Sequence, residues 1–157
     1  MKKLIGLGLL LLVACQRKVV VSSPAPTSRG TSATAVGQVG GGTPDEAVAM
    51  MMAAGKSEDL QAVGAVWGDD QGLAREKWSR QEFEMRAYYV VKCLRNDRYT
   101  VLSESPAAAG GRRVLNVQVF KGTLSPTTNF KVVKGPNGRW LVEQADLEPL
   151  TKICQLA

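Results

Sequence analysis

One change of hydrophobic period, at Asn96-Asp97, restricts what this chain can fold into more than any other feature of its sequence. Before it, apolar residues recur at three- and four-residue spacing; after it they alternate with polar ones. On the helical side, Phe83, Ala87, Val90, Val91 and Leu94 share one long face. On the other side, Arg98 to Ser103 predicts a strand with Tyr99 and Val101 together, and Leu115, Val117 and Val119 alternate with Asn116 and Gln118. Thr128, Phe130 and Val132 mark a third strand, and Trp140 and Val142 a fourth. The turns between the last three, at Gly122 to Pro126 and at Gly135-Pro136-Asn137-Gly138, are too short for the crossover that parallel neighbours require, so these strands are antiparallel. Helices first and a meander after define an α+β fold, with the helices packed on the apolar face of an antiparallel sheet of about four strands.

Punctuation residues place the helices. Thr43, Pro44, Asp45 and Glu46 form a capping box with proline at the first helical position, and Val48, Met51 and Met52 follow on one face. Gly55 is the expected stop. Ser57, with Glu58 and Asp59 behind it, starts a second helix in which Leu60, Val63 and Trp67 share a face and Gly68 ends the run. Asp69-Asp70-Gln71-Gly72 is then a loop. Its two carboxylates are a candidate cation ligand or acid/base pair, but calcium takes six or more oxygens and no further acids are spaced to supply them. Solvation, or capping of the next helix, is the expected role. The next helical stretch runs from Leu73 to Leu94 and restarts at Ser79, which forms a second capping box with Glu82. The sequence predicts no metal site and no cofactor.

Ahead of this domain, residues 1–14 carry the marks of a secretory signal. Met1-Lys2-Lys3 supplies the positive start, and Leu4 to Val13 an apolar core of roughly ten residues, about half of what a membrane-spanning helix needs. Small Ala14 before Cys15 marks the cleavage point, and Leu12-Val13-Ala14-Cys15 resembles the bacterial lipobox. That resemblance implies a diacylglycerol on the Cys15 sulfur and a fatty-acyl group such as palmitate on the new amino end. At about 0.8 kcal/mol per buried methylene, several chains together make a durable anchor to the membrane. Gln16, where an aspartate would signal retention at the inner membrane, implies sorting to the outer membrane, facing the periplasm.

Residues 15–43 are the lipidated cysteine and a Ser, Thr, Gly, Pro and Ala-rich tether, expected to be disordered because it cannot bury enough apolar surface to offset its ordering entropy. A flexible coil of this length spans about 30 Å. Gly40-Gly41-Gly42 has no strand before it and belongs to the tether rather than to a phosphate-binding loop. The formal net charge of +6 comes mostly from the signal and the tether, since residues 44–157 hold 15 basic and 14 acidic side chains. Nucleic acid is therefore not an expected partner. Arg17 and Lys18 either touch anionic headgroups or stay solvated.

Thr43-Pro44-Asp45-Glu46-Ala47, Asp59-Leu60, Trp67-Gly68 and the closing Gly138-Arg139-Trp140-Leu141-Val142-Glu143 together resemble bacterial lipoproteins with a nuclear-transport-factor-like domain, over nearly all of residues 44–150. The resemblance implies helices on a strongly bent antiparallel sheet, a cone with a pocket at its open end. That scaffold serves enzymes, ligand binders, partner-binding modules and dimers alike. Candidate pocket residues are Met51, Met52, Trp67, Tyr88, Tyr99, Phe130 and Trp140. Methionine adapts to greasy ligands, although core packing is the commoner role for a run such as Met50-Met51-Met52. A tyrosine at a core edge with its hydroxyl in water is likewise commoner than one donating into a pocket.

The chain contains no histidine, which removes the usual proton shuttle near neutral pH and the commonest zinc ligand. A base would have to be Glu82 or Glu84, working against Tyr88 or Tyr99, and both glutamates stand on an arginine-rich helix where solvated ion pairs are the plainer expectation. No serine has the flanking glycines of a nucleophile elbow, and no catalytic residue is assigned. With Cys15 lipidated, Cys93 and Cys154 remain, and outside the cytoplasm they are expected to form a disulfide, two free thiols being the alternative. The expected protein is a lipid-anchored envelope component, not an enzyme, that binds an apolar small molecule or a protein partner. The alternatives are a cone enzyme of isomerase or hydrolase type and a structural homodimer.

Overall fold

The computed structural model describes residues 38–107 and 110–156. The expected signal peptide, the expected lipidation at Cys15 and the part of the expected tether up to residue 37 lie outside the described residues. Thr43 starts α1 (Pro44–Ser57): its Oγ1 accepts the Glu46 N–H at 3.2 Å, and Glu46 Oε2 reaches back to the Gly42 N–H at 2.7 Å. The helix runs past Gly55, and its left-handed cap falls on Glu58, with φ of 53°. Asp59, not Ser57, caps α2 (Leu60–Gly64), accepting from the N–H groups of Gln61 and Ala62 at 2.8 and 3.0 Å. Ser57 donates instead to the Ala53 carbonyl at 3.0 Å. Gly68 does not close the second helix but opens a hairpin, β1 (Gly68–Asp69) and β2 (Gly72–Leu73), turning at the paired aspartates.

The stretch after the hairpin is split at Trp78-Ser79 into α3 (Ala74–Lys77) and α4 (Arg80–Cys93), Ser79 Oγ accepting the Glu82 N–H at 3.3 Å. Beyond Asn96 the chain forms a four-stranded antiparallel meander in the order β3 (Arg98–Pro106), β4 (Arg113–Phe120), β5 (Thr127–Lys134), β6 (Trp140–Ala145). A 3-10 turn (Glu148–Leu150) then leads into α5 (Thr151–Cys154). The fold is α+β, as the change of period implies.

Leu115, Val117 and Val119 on β4 and Thr128, Phe130 and Val132 on β5 are the buried face of the sheet, and α1 lies across it with Ala47, Val48 and Met52 sealed. At the middle of the other face Asn116 Nδ2 donates to Asn129 Oδ1 at 2.8 Å. β6 departs from simple alternation, because Leu141 and Val142 are both buried. Val142 faces the main core, whereas Leu141 is covered by the hairpin strand at Gly68 and by the chain at Gly40. The register of the meander shifts twice, between Val101 and Ser103 and between Lys131 and Val132, each shift a bulge that sharpens local twist.

Two contacts join the helical layer. A Cβ at Gly55 would lie 2.5 Å from Leu94 Cβ, so the missing side chain lets α1 approach the end of α4. Buried Asn96 then donates to the carbonyls of Met52 and Leu94 at 3.0 and 2.8 Å, satisfying acceptors at both helix ends. Cys93 and Cys154 form a disulfide that ties α5 to α4. The domain also begins earlier than the capping box suggests. Gly40 and Gly41 are buried, the Gly40 N–H donating to the Ala65 carbonyl and Gly41 exchanging two 2.8 Å bonds with Trp140. They are an edge partner of β6, so the tether ends before them.

Candidate functional site

Where α4 parts from the end of β6, a groove of about 390 Å³ opens. Met51 of α1, Trp67 and Val90 belong to its apolar interior; Met85, Arg86 and Tyr89 come from α4, and Glu143 to Ala145 with Leu147 from the other wall. Helical spacing explains the α4 side. Met85 and Tyr89 are four residues apart and lie off the buried stripe of Phe83, Ala87 and Val90, so they line the opening at 67% and 53% exposure. Trp67 is held by its neighbours: its ring meets Trp78 edge-on at 5.0 Å between centroids and Phe83 at 6.2 Å.

Both charges on the groove wall are matched within the protein. Arg86 Nη2 reaches Glu82 Oε1 at 2.9 Å, and its guanidinium lies 4.7 Å from the Trp78 ring centroid. Glu143 takes Arg112 through both Nε, at 3.0 Å, and Nη2, at 2.8 Å. Arg112 Nη2 also meets Asp70 Oδ2 at 3.0 Å, strapping the hairpin turn to β6. The hydrogen bonds it donates to the Glu143 and Asp70 carboxylates hold the Arg112 guanidinium above its ordinary pKa. The neighbouring Asp69 is committed too. Burial pushes its carboxyl up, but bonds from Lys77 and from the Gln71 N–H outweigh that and leave it below the usual carboxylate value. The paired aspartates thus fasten the turn, and among the described residues no cluster of three or more histidine, cysteine, aspartate or glutamate side chains could hold a metal ion.

Of the seven pocket candidates read from the sequence, the structure brings Met51 and Trp67 to the groove. Met52 and Phe130 are fully buried in the core, where they pack against protein and leave no open surface. Tyr88 stands on the outer side of α4 at 59% exposure. Tyr99 is half-buried on β3, where burial and the nearby Asp45 carboxylate raise its pKa. Trp140 sits against Gly41 with Lys134 over its ring. Glu82 and Glu84 are ion-paired with Arg86 and Arg80 on the outside of α4, so neither carboxylate is brought together with Tyr99. The sequence offers Tyr88 and Tyr89, on different sides of the helix, as alternative hydroxyls for a pocket, and it is Tyr89 that lines the groove. Sequence reasoning misses Met85, Arg86 and Gln144, although Met85 and Arg86 carry a signal as bulky side chains displaced from the buried stripe of a helix.

A second depression of about 430 Å³, between the β4–β5 turn and the C-terminal helix, mixes polar Thr123, Ser125, Glu148 and Lys152 with Leu124, Pro126 and Pro149. It brings together no apolar floor comparable with Met51, Trp67 and Leu147. Comparison with protein-family models, with curated proteins and with solved structures finds no match for this chain.

Proposed function

We propose that this chain is a lipid-anchored protein of the bacterial cell envelope, held at Cys15, whose domain binds an apolar small molecule and catalyses no reaction. The observation that carries the binding reading is the groove between α4 and β6. Its 390 Å³ fall at the small end of the roughly 300–1,000 Å³ typical of ligand sites, and its interior is made by Met51, Trp67, Val90 and Leu147. Its charged residues are engaged with protein partners rather than converging on a reacting atom. The Cys93–Cys154 disulfide supports residence in an oxidising compartment, which export would supply. The bulges of the meander support a bent sheet, and with helices on one face a cone of the nuclear-transport-factor-like kind is the corresponding finer reading of the fold.

Mass spectrometry of the mature protein, extracted from the envelope of its own producer, tests this reading in two passes. Under native conditions the expected result is a species heavier than the lipidated chain, and on denaturation the added mass leaves as a small apolar compound. A lipidated chain without added mass in the native pass would contradict the small-molecule reading, and a chain carrying no acyl group at Cys15 would contradict the anchor.

A further inference from the structure

The groove has a specific charge logic. Among the described residues Arg86 is the one cation on its wall, and its Nε and Nη2 both go to Glu82 Oε1, at 3.2 and 2.9 Å, with Trp78 under the guanidinium. Glu143 is the one carboxylate among them, and Arg112 meets it through two nitrogens. A ligand carboxylate entering beside Arg86 would have to share a guanidinium already paired, and it would face Glu143 and Glu82 at close range. A ligand ammonium near Glu143 would face Arg112 and Arg86. Either ion gives up part of its hydration on entering the groove and meets only a counter-charge that it must share with a side chain already paired to it. Two neutral polar groups are differently placed. Tyr89 and Gln144 line the same groove at its exposed mouth, and among the described residues neither side chain bonds to another protein group. They offer a hydroxyl and an amide, each able both to donate and to accept.

Resting on the reading of the groove as a binding site, we propose that it selects an uncharged, single-chain amphiphile: an alkyl chain against Met51, Trp67 and Leu147, with a hydroxyl or ester end at Tyr89 and Gln144, of the fatty-alcohol or monoglyceride class. The volume suits one medium-length chain rather than paired acyl tails. Complementarity here lies in the absence of an open charge on the protein. Specificity comes from the cost of desolvating the wrong head group.

Three probes of one chain length isolate the head group: decan-1-ol, decanoate and decylammonium, titrated calorimetrically at pH 7 and below micelle formation into the chain from Gln16 onward. This keeps every described residue, 38–107 and 110–156, in the chain. Decanol is expected to bind at least tenfold more tightly than either ion. If an ion binds to within tenfold of decanol, or more tightly, the selectivity is overturned while the apolar site stands; if no probe binds, the site itself falls. The cause is tested by Glu82→Gln, on the exposed side of α4, which releases Arg86 from its pair. It should improve decanoate affinity several-fold and leave decanol within twofold. An unchanged preference would show that internal pairing does not set the selectivity.

Discussion

Removing the Cys93–Cys154 bond, by reduction or by Cys93→Ala/Cys154→Ala, is expected to lower the stability of the domain by about 4 kcal/mol, and Tm by roughly 15 °C. The separation of 61 residues closes a loop that contains the entire meander, so the unfolded chain regains much entropy when the bond is cut. The folded state loses a constraint as well. The disulfide is what fastens the short α5, with Leu150 and Ile153 fully buried beneath it, onto the end of α4. Thermal unfolding followed by circular dichroism, with and without reductant, measures the effect. A Tm that moves by less than about 3 °C would mean that the burial of Leu150 and Ile153 alone holds the terminus.

Phe130→Ala is expected to destabilise the domain by about 3–5 kcal/mol, close to the limit a domain of this size tolerates. Phe130 is the largest side chain among those fully buried, paired across β5 with Leu115 on one side and Ala145 on the other. Truncation leaves a cavity that α1 cannot fill, because the close approach at Gly55 fixes its position against Leu94. The smaller truncation Phe130→Leu should cost less, about 1–2 kcal/mol. Urea denaturation reads both. If Phe130→Ala left stability nearly unchanged while weakening ligand binding, Phe130 would be a pocket residue, as its size and place in the sequence first suggest.

That contrast shows what the sequence could and could not disclose. The change of period at Asn96 places every strand of the meander, since alternation with polar neighbours reports directly on a half-buried sheet. The starts of α1 and α4 are legible because caps are local chemistry: Thr43 and Ser79 meet the amides of Glu46 and Glu82. The end of α1 is not legible, because Gly55 serves a tertiary contact with Leu94 rather than a turn. Likewise the bonds of Gly41 to Trp140, across nearly the whole domain, have no local signature, and a glycine-rich run looks the same whether it is a tether or an edge strand. For the groove, composition marks Met51, Met52, Trp67 and Phe130 equally as large and apolar. Only the packing of α1 on the sheet separates those that line the groove, Met51 and Trp67, from those enclosed in the core.

The methionines offer the most direct test of the central claim. With 13C-methyl methionine in the chain from Gln16 onward, Met51 and Met85 report from the groove, while Met50 and Met52 lie on α1 outside it. On titration with decan-1-ol, the account predicts saturable shifts of the Met51 and Met85 methyl signals, with Met50 and Met52 nearly still. Shifts confined to Met50 and Met52, or no saturable shift in any of the four, would contradict it.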